Sequence, residues 1–369
     1  MNTFPPASGP ISLEEWRDLP WIAALKGCLQ DPVYHAEGDV FIHTQMVMDA
    51  LAESADWQAL DEAARRTTFY GALLHDIGKP ARTREEEGRI TSRGHSAKGA
   101  RMARQILWSE GMGFAEREEV CGLVSGHQIP FFAIERDAPE RLLITRSYQS
   151  RLDHLVLVAE ADMRGRVCDD MDRVLGNVAL FQEMARELGC LTESYPFPDD
   201  HTRVSYFRNE ERYHGYTAHD DTEFTVHLMS GLPGSGKDSW IERSGPDLPV
   251  ISLDEIRKEL KVRPDQPQGK VINEAKERGK DFARKKQSFI WNATNISRDM
   301  RDLCLGTFWP YNPRVEIHYV EVPASTQAMQ NRERNEAVPE KVIARMLEKW
   351  EVPAATEAHQ VHYHVDGAT

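Results

Sequence analysis

The stretch GLPGSGKDS at residues 231–239 decides the fold of the second half of this chain. It fits the pattern GxxxxGK and stands between a strand-like run, EFTVHLM, and a helical run, KDSWIERS. Glycines let backbone amides turn inward around an anion, the helix N-terminus adds partial positive charge, and the lysine reaches the terminal phosphates. The stretch therefore predicts a nucleotide-binding loop made of Gly231, Gly234, Ser235, Gly236, Lys237, Asp238 and Ser239.

One position departs from the usual pattern of such loops. The residue after the lysine is normally Ser or Thr, whose hydroxyl binds Mg²⁺, and here it is Asp238. Ser239 comes next, but it points about 100° away around the helix. We expect Asp238 to hold Mg²⁺, directly or through water, beside ATP or another nucleoside triphosphate.

Outward from the loop, the periodicity of the chain changes near residue 223. Downstream, short β-rich runs alternate with helical stretches, as in a parallel α/β sheet; they are EFTVHLMSG, PVISLD, SFIWNATN and RVEIHYVEV. Upstream, residues 40–190 place apolar side chains three and four apart, which is typical of helices. We predict a two-domain chain: an all-α domain at 1–195, a linker or docking segment at 196–222, and an α/β domain with a central parallel sheet at 223–369.

Charge and composition narrow the functional classes. The net charge is -14, of which -13 falls upstream of residue 223 and -1 downstream. Indiscriminate nucleic-acid binding, which needs a basic surface, is therefore disfavoured, and a polyanion should approach through local basic clusters or bound metals. Neither a membrane-spanning run nor a secretory signal is visible, which predicts a cytoplasmic protein. The five scattered cysteines indicate small buried side chains rather than disulfides or a zinc site.

Chemistry-bearing residues also follow the other predicted strands. Asp254 ends the second strand and Arg257 comes one turn later, so Asp254 can accept the proton of an attacking hydroxyl while Arg257 holds a phosphate of the acceptor. The alternative is that Asp254 only caps a helix. Arg332 and Arg334 follow the last predicted strand, where a mobile arginine lid would lie. Their alternative is a solvated helix face.

Of the two His-Asp dipeptides, His219 and Asp220 lie in the polar segment without apolar support. The other ends the helical stretch YGALLHDIGKP, with further histidines and an aspartate on both sides. Imidazoles and carboxylates in this number suit one or two ions of manganese, iron, nickel, cobalt or zinc. The predicted ligands are His43, His75, Asp76, His95, His127 and Asp162.

Several neighbours of these ligands carry weaker expectations. Lys79, one turn beyond the dipeptide, is placed to bind a substrate phosphate. The alternative for His95 and His127 is that both are loop or cap histidines bonded to backbone. We expect structural roles for His35 and His154, and surface or supporting roles for Arg164 and Arg166.

With these residues in place, the second half resembles the 5'-hydroxyl polynucleotide kinase family over residues 223–369, through GLPGSGKD, SLDEIR, NATN and the arginine pair before Val-Pro. The resemblance implies that Lys237 grips the β- and γ-phosphates, that Asp254 is the general base and that Arg257 binds the acceptor strand. It also implies that Arg332 or Arg334 contacts the donor. Weaker candidates for acceptor contacts are Asn295, Arg298, Arg301 and the basic stretch 276–286, whose alternative is a solvated helix face.

The histidine and aspartate set resembles the HD phosphohydrolase superfamily, in the version with enough ligands for two metals. Nearly the whole chain therefore resembles bacterial enzymes that fuse an HD phosphohydrolase to a polynucleotide kinase. That resemblance implies repair of RNA or DNA ends: an NTP-dependent kinase for the 5'-hydroxyl, metal-dependent removal of a 2'-, 3'- or 2',3'-cyclic phosphate, and a separate ligase that seals the break. Two alternatives stay open, a small-molecule kinase fused to a metabolite phosphohydrolase and an HD hydrolase gated by a nucleotide-sensing domain.

Overall fold

Two units make up the chain, the first ending at Pro196 and the second beginning at Phe197. The computed structural model describes residues 4–7, 9–263, 265–334 and 336–365. Each unit has its own buried apolar clusters, so each is described separately. Within the described residues, no helix is both long and apolar enough to cross a membrane.

The first unit is helical, as its periodicity predicts. Asp39 and Asp61 begin two of its longer helices by accepting hydrogen bonds from the first-turn amides of Ile42 and Ala64. Two short 3-10 helices lie at Leu13–Trp16 and Ala133–Glu135. The α-helices are α1 (Pro20–Ala23), α2 (Val40–Glu53), α3 (Ala55–Gln58), α4 (Glu62–Leu74), α5 (Lys79–Arg82), α6 (His95–Ser109), α7 (Phe114–Gly126), α8 (Ile129–Phe132), α9 (Pro139–Ser147), α10 (Leu152–Arg164) and α11 (Met171–Glu187).

Helix α10 lies at the centre of this unit. It packs against α2, α4, α7 and α11, and nearly all of its side chains are buried. Burial on every side explains its sequence, LDHLVLVAEADMR, which is apolar around most of its circumference. A short hairpin that the periodicity does not reveal, β1 (Arg84–Glu86) with β2 (Arg89–Thr91), joins α5 to α6.

The second unit is an α/β domain with five parallel strands in the order β4-β5-β3-β6-β7, which confirms the predicted fold class. A 3-10 turn lies at Trp309–Tyr311. The strands and helices are α12 (Asp200–Arg208), β3 (Thr225–Ser230), α13 (Lys237–Ser244), β4 (Val250–Ser252), α14 (Leu253–Glu259), α15 (Gly269–Arg284), β5 (Phe289–Asn292), α16 (Arg298–Leu305), β6 (Arg314–Glu321), α17 (Ala324–Glu333), α18 (Glu340–Leu347) and β7 (Gln360–Val365).

Helix α12 lies inside the polar segment 196–222 and packs on the second unit. The guanidinium of Arg203 donates to the carbonyl oxygens of Ala355 and His359 at 3.0 and 2.6 Å. The ring of His201 stacks on that of His359 with their centres 5.4 Å apart. This polar segment is therefore bound to the chain just before β7.

A buried ion pair connects α16 with the segment before β7. Arg301 is fully buried and donates to both carboxylate oxygens of Glu357, at 2.6 and 3.0 Å. It also donates to the carbonyl oxygens of Asn295 and Glu351, while the Asn295 amide donates to the carbonyl of Met229. Asn295 and Arg301 thus support the fold, and the expectation that they contact an acceptor is corrected.

Candidate functional site

The structure brings all six predicted metal ligands of the first unit together in its interior. They lie in α2, at the end of α4, at the start of α6, at the end of α7 and in α10. Gly78, just after the dipeptide, permits this approach, because a Cβ there would lie 2.1 Å from the carbonyl oxygen of His95. The six buried side chains are His43, His75, Asp76, His95, His127 and Asp162.

The Nε2 atoms of the histidines converge on the two carboxylates. Those of His43 and His75 are 3.3 Å apart, and those of His95 and His127 are 3.4 Å apart. Asp76 Oδ2 lies 3.1 Å from His75 Nε2 and 3.7 Å from His43 Nε2, whereas its Oδ1 lies 3.2 Å from His95 Nε2 and 3.8 Å from His127 Nε2. Asp162 Oδ1 lies 3.1 Å from His43 Nε2. One carboxylate oxygen of Asp76 therefore faces each pair of histidines.

The other ring nitrogen of each histidine is held by the backbone. The Nδ1 atoms of His75, His95 and His127 lie 2.6 to 2.8 Å from the carbonyl oxygens three residues earlier, and His43 Nδ1 lies 3.0 Å from that of Gly165. A carbonyl only accepts, so each Nδ1 carries the proton and each Nε2 presents a lone pair inward. This is the arrangement that metal-binding histidines adopt.

These residues fit a pair of divalent metals. Two groups have ligand atoms close enough to share an ion, His43 with His75 and Asp76, and Asp76 with His95 and His127. Among the described residues, none makes a well-directed hydrogen bond to either carboxylate oxygen of Asp76, although both oxygens are buried. The Lys79 ammonium lies 2.7 Å from Oδ2, whereas Oδ1 faces the imidazoles of His95 and His127. The charge of a buried carboxylate is costly unless cations neutralise it. Asp76 is therefore placed to bridge the two ions.

Electrostatics keep the carboxylates ionised. Burial opposes ionisation, but His75 and Lys79 hold the pKa of Asp76 well below its usual range, and Arg166 does the same for the pKa of Asp162. Burial lowers the pKa of His127 to about 3, which keeps this imidazole neutral. Despite burial, the Asp76 carboxylate raises the pKa of His75, so a metal that binds there would displace a proton from this imidazole. Ionised carboxylates and neutral imidazoles are the forms that bind metals.

Two residues, Glu37 and Arg166, support this site; a supporting position is one of the two roles expected for Arg166, whereas Glu37 is not evident from the sequence. Glu37 Oε1 lies 2.8 Å from His35 Nδ1 and 3.0 Å from His43 Nδ1, so His35 joins the site through a shared carboxylate. Arg166 donates to both oxygens of Asp162 at 2.7 to 2.9 Å. The amide of Val167 also donates to Glu37 Oε2 at 2.9 Å, a contact across 130 residues that no local spacing pattern reveals.

Lys79 lies at the inner end of an open cavity of about 320 Å³. Its ammonium is 2.7 Å from Asp76 Oδ2 and donates to Gln30 Oε1 at 2.6 Å. His35, Arg93 and His95 also line the cavity. A substrate phosphate entering here would meet a lysine already paired with a metal-ligating carboxylate.

In the second unit, the nucleotide-binding loop connects β3 to α13, as predicted. Gly234 has a left-handed φ of 79°, and a Cβ there would lie 2.9 Å from the Asn331 amide nitrogen and the Gln327 carbonyl oxygen. The Gln327 side chain in turn donates to the carbonyl of Pro233 at 2.6 Å. The loop is thus packed tightly against α17.

Lys237 is buried at the start of α13. Its ammonium donates to the carbonyl oxygens of Gly231 and Leu232, both at 2.9 Å. Burial lowers its pKa to about 8. The lysine is therefore held inside the loop, where a bound polyphosphate would restore its full positive charge.

Asp238 is exposed and faces β5. Its Oδ1 accepts a hydrogen bond of 2.7 Å from the Asn292 side chain, at the carboxyl end of that strand. Ser239 and Ser235 line the same cavity as Asp238. The carboxylate is oriented by Asn292 in the region where Mg²⁺ binds in loops of this type.

Asp254 lies in the first turn of α14, but it is not the residue that caps it. Ser252 caps the helix by accepting from the amide of Glu255, so the alternative role for Asp254 is not observed. The side chain of Asp254 is 53% exposed and lies between two arginines, accepting from Arg257 and lying 3.6 Å from Arg334.

The two lid candidates differ in position. Arg334 ends α17, is 31% exposed at its side chain and lines a cavity of about 700 Å³ together with Lys237 and Asp238. Arg332 is exposed in the last turn of α17 and does not line this cavity in the described part of the chain. The geometry favours Arg334. A cavity of this size accommodates a nucleoside triphosphate.

Two other features lie outside these sites. The basic stretch 276–286 forms part of α15, where Arg278, Lys280 and Arg284 pair with acidic neighbours, as expected of a solvated helix face. Asp220 accepts from the amide and hydroxyl of Thr222 and thereby fixes a turn.

Comparisons with known proteins agree with this division of the chain. A family model described as an HD domain matches residues 40–175, and one described as an AAA domain matches residues 226–353. The chain therefore joins an HD domain to a P-loop kinase-like domain, which confirms the predicted combination. HD domains bind divalent metals, and P-loop kinases use a nucleoside triphosphate with Mg²⁺.

Individual relatives match only in part. The Multifunctional CCA protein of Halorhodospira halophila is 38% identical over 90 residues, which is 24% of this chain and 19% of that protein. The chain thus spans about a fifth of the length of this curated relative. A crystal structure from Chloroflexus aurantiacus, described as a presumed kinase, is 12% identical with a TM-score of 0.34, covering 39% of this chain and 86% of that chain.

Proposed function

We propose that this chain is a bifunctional repair enzyme for nucleic-acid ends, with RNA as the preferred substrate. Its second unit phosphorylates a 5'-hydroxyl with a nucleoside triphosphate, and its HD domain removes a 2'-, 3'- or 2',3'-cyclic phosphate. The observation that carries the proposal is the exposed Asp254 between Arg257 and Arg334, beside the cavity of the nucleotide-binding loop. An exposed base with an arginine on each side suits the end of a large phosphorylated acceptor.

In the proposed kinase reaction, Asp254 accepts the proton of the 5'-hydroxyl as the oxygen attacks the γ-phosphorus, the bond from this phosphorus to the bridging oxygen breaks, and the nucleoside diphosphate leaves. Arg257 is fixed by Gln268, whose side chain accepts at 2.9 Å, and is placed to bind a phosphate of the acceptor strand. Lys237 and Arg334 stabilise the charge that develops on the transferred group. Asp238 is placed to hold Mg²⁺ with the donor.

In the proposed hydrolase reaction, the side chains of the HD domain bind and orient the phosphate ester. His43, His75, Asp76, His95, His127 and Asp162 would hold one or two divalent transition metals. Metals bound there supply Lewis acidity and a more acidic water. Lys79 and Arg93 at the cavity would pair with the phosphate of the substrate, and Arg166 keeps the Asp162 carboxylate in place.

The curated relative supports the choice of a nucleic-acid substrate over a free metabolite. Its printed name, Multifunctional CCA protein, fits a nucleotide-processing function. The matched region covers 24% of this chain. A polynucleotide end is the one substrate class on which a kinase and a phosphohydrolase act in sequence at the same break.

One assay tests both halves. An RNA with a 5'-hydroxyl and a 2',3'-cyclic phosphate is incubated with ATP and, in separate reactions, with manganese, nickel, cobalt, zinc or magnesium, and both ends are analysed. We expect a 5'-phosphate and loss of the cyclic phosphate. A 5'-hydroxyl DNA of the same sequence measures the RNA preference, and transfer of phosphate to a free nucleoside but not to either oligonucleotide would refute the proposal.

A further inference from the structure

Of a row of histidines on one face of the parallel sheet, His364 lines the nucleotide cavity, and the others have no part in either site described above. Side chains alternate along a strand, so residues two apart share a face. The register pairs His227 of β3 with Glu316 of β6, and His318 of β6 with His362 of β7. The intervening residues Val226, Leu228, Val315, Ile317 and Val361 belong to the apolar cluster on the opposite face. The polar group lies on the other face of the sheet and consists of His227, Glu316, His318, His362 and His364.

The ligand atoms of His227, Glu316 and His318 all lie within 4.8 Å of one another, and His362 approaches the same glutamate. His227 Nδ1 lies 3.1 Å from His318 Nε2 and 3.7 Å from Glu316 Oε2, and His362 Nε2 lies 3.2 Å from the same glutamate oxygen. Around a tetrahedral ion with ligands at about 2.0–2.1 Å, neighbouring ligand atoms are about 3.3 Å apart. The observed separations match this edge.

We propose that His227, Glu316, His318 and His362 form a binding site for a divalent transition metal of the zinc class. Three imidazoles and one carboxylate are borderline ligands that favour zinc or cobalt over magnesium or calcium. The site shares no residue with the HD domain or with the Mg²⁺ position at Asp238.

The surroundings orient the ligands as metal sites require. His318 Nδ1 lies 3.2 Å from His364 Nε2, so His318 can donate there and present its Nε2 lone pair to the ion. Arg314 donates to Glu316 Oε1 at 3.3 Å, which leaves Oε2 directed at the histidines. Such partners fix the ring orientation and raise the affinity of the ligands.

The proposed metal site is buried on one side and open to solvent on the other. His318 is buried at 6% exposure, whereas the His362 side chain is 37% exposed. The rings of His318 and His364 also lie 4.6 and 4.4 Å from the ring of Trp240 in α13. An ion can therefore enter past His362 and be held against the sheet.

The competing explanation is a row of histidines joined only by hydrogen bonds. Such a row accounts for the contacts of His227 with His318 and of His318 with His364. It also accounts for the contact of His362 with Glu316, which is at hydrogen-bonding distance. The two explanations differ in the binding of metal, which can be measured directly.

The test uses the full chain with His75→Ala and Asp76→Ala, which disable the HD site, after removal of metals with a chelator. Cobalt(II) is titrated, and the intense visible absorption of four-coordinate cobalt is recorded. We expect about one equivalent of tetrahedral cobalt per chain, displaced by zinc. In this background, Glu316→Gln and His362→Ala, both at partly exposed positions, should lower the affinity at least about tenfold, and His364→Ala should lower it by about 10–100-fold.

Control measurements distinguish loss of the metal site from unfolding of the protein. His219→Ala, at an exposed histidine outside the group, should leave cobalt binding unchanged. Near-UV circular dichroism of each variant should match that of the parent. Absence of a tetrahedral cobalt spectrum in the parent, or its retention in Glu316→Gln and His362→Ala, would overturn the proposal and leave the hydrogen-bonded row. Because no nucleic acid or ATP is involved, the result is independent of the proposed function.

Discussion

Asp238 replaces the hydroxyl residue that normally follows the lysine of a nucleotide-binding loop. Its hydrogen bond from Asn292 orients the carboxylate at the carboxyl end of β5. A carboxylate can bind Mg²⁺ directly but adds negative charge beside the phosphates. We expect Asp238→Ala to raise the Mg²⁺ concentration needed for half-maximal kinase activity about tenfold or more, and Asp238→Ser to restore part of it.

The control for this measurement is Glu242→Ala, one turn further along the same face of α13 and exposed. It removes the same charge without touching the loop. If Asp238→Ala and Glu242→Ala show the same magnesium dependence as the unmodified chain, the role of Asp238 as a magnesium ligand is wrong.

The lowered pKa of Lys237 should make the affinity for nucleotide depend on pH. In the free protein, burial lowers its pKa to about 8, below the ordinary value of 10.5. Bound polyphosphate favours the charged amine and raises this pKa. At a pH between the pKa in the free protein and the pKa in the complex, binding therefore takes up a proton. Affinity for ATP should therefore be highest below pH 8 and fall as the pH rises above it, by at most about tenfold per pH unit.

Calorimetry in two buffers of different ionisation enthalpy measures this uptake at pH 8.5. We expect a fraction of a proton bound per ATP in the unmodified chain and none in Lys237→Met, which binds more weakly. Equal heats in both buffers would contradict a lowered pKa of Lys237.

Arg334 and Arg332 form a matched pair for the lid. Arg334 lines the nucleotide cavity and lies near Asp254, whereas Arg332 is exposed on the side of α17 away from it. Loss of a group that stabilises developing charge typically lowers kcat by about 100–1,000-fold. Arg334→Ala should show such a loss, and Arg332→Ala less than about threefold. Steady-state kinetics at saturating ATP measure kcat for both variants. Equal losses of kcat would contradict the assignment of Arg334 as the lid arginine.

At the scale of elements, the sheet could be predicted only in part. The sequence predicts strands in the regions of β3, β4, β5 and β6, because each is a β-rich run next to helical sequence. Strand β7, QVHYHV, is missed because its alternation of apolar and polar side chains uses histidine on the polar face. The same alternation is the sequence pattern by which the histidine row could have been found.

The helical site shows the same limit. The six metal ligands could be named from the sequence because the His-Asp dipeptide and its flanking histidines have recognisable surroundings. Glu37 could not, since its place depends on a contact with the Val167 amide 130 residues away, and Arg166, four residues after Asp162, could be given only a surface or supporting role. Local patterns predict residues within an element, whereas support between elements depends on the tertiary structure.

The ion pair of Arg301 with Glu357 connects α16 to the segment before β7. Removing one partner of a buried pair leaves an uncompensated charge, which costs about 3–5 kcal/mol. Arg301→Met should therefore lower the melting temperature of the second unit, identified in calorimetry as the transition that ATP shifts upward. The double change Arg301→Met with Glu357→Leu should recover much of the loss, and strictly additive effects would show that the pair is not coupled.

At the scale of the whole molecule, each proposed activity depends on one unit. Lys237→Ala should abolish 5'-phosphorylation and leave cyclic-phosphate hydrolysis within about twofold, because all six HD ligands belong to the other unit. His75→Ala with Asp76→Ala should do the reverse. Both activities are measured on the same RNA, and loss of both in either variant, with unchanged circular dichroism, would indicate a single coupled site.

Asp254→Ala tests the remaining alternative, an HD hydrolase gated by a nucleotide sensor. In the proposed enzyme this change abolishes phosphorylation without preventing ATP binding, since the loop and Lys237 are intact. A sensor would keep every nucleotide-dependent effect on hydrolysis. Assays of RNA phosphorylation and of hydrolysis with and without ATP distinguish the two.

Helix α12 has a practical consequence for any attempt to transfer the kinase to another protein. Arg203 donates hydrogen bonds to backbone carbonyl oxygens just before the last strand. A fragment cut at residue 223, where the strand-rich sequence begins, would leave these oxygens without this donor. We therefore expect the transferable module to begin near Phe197, where the second compact unit begins. The boundary visible in composition and the boundary at which the domain can be excised are therefore about 25 residues apart.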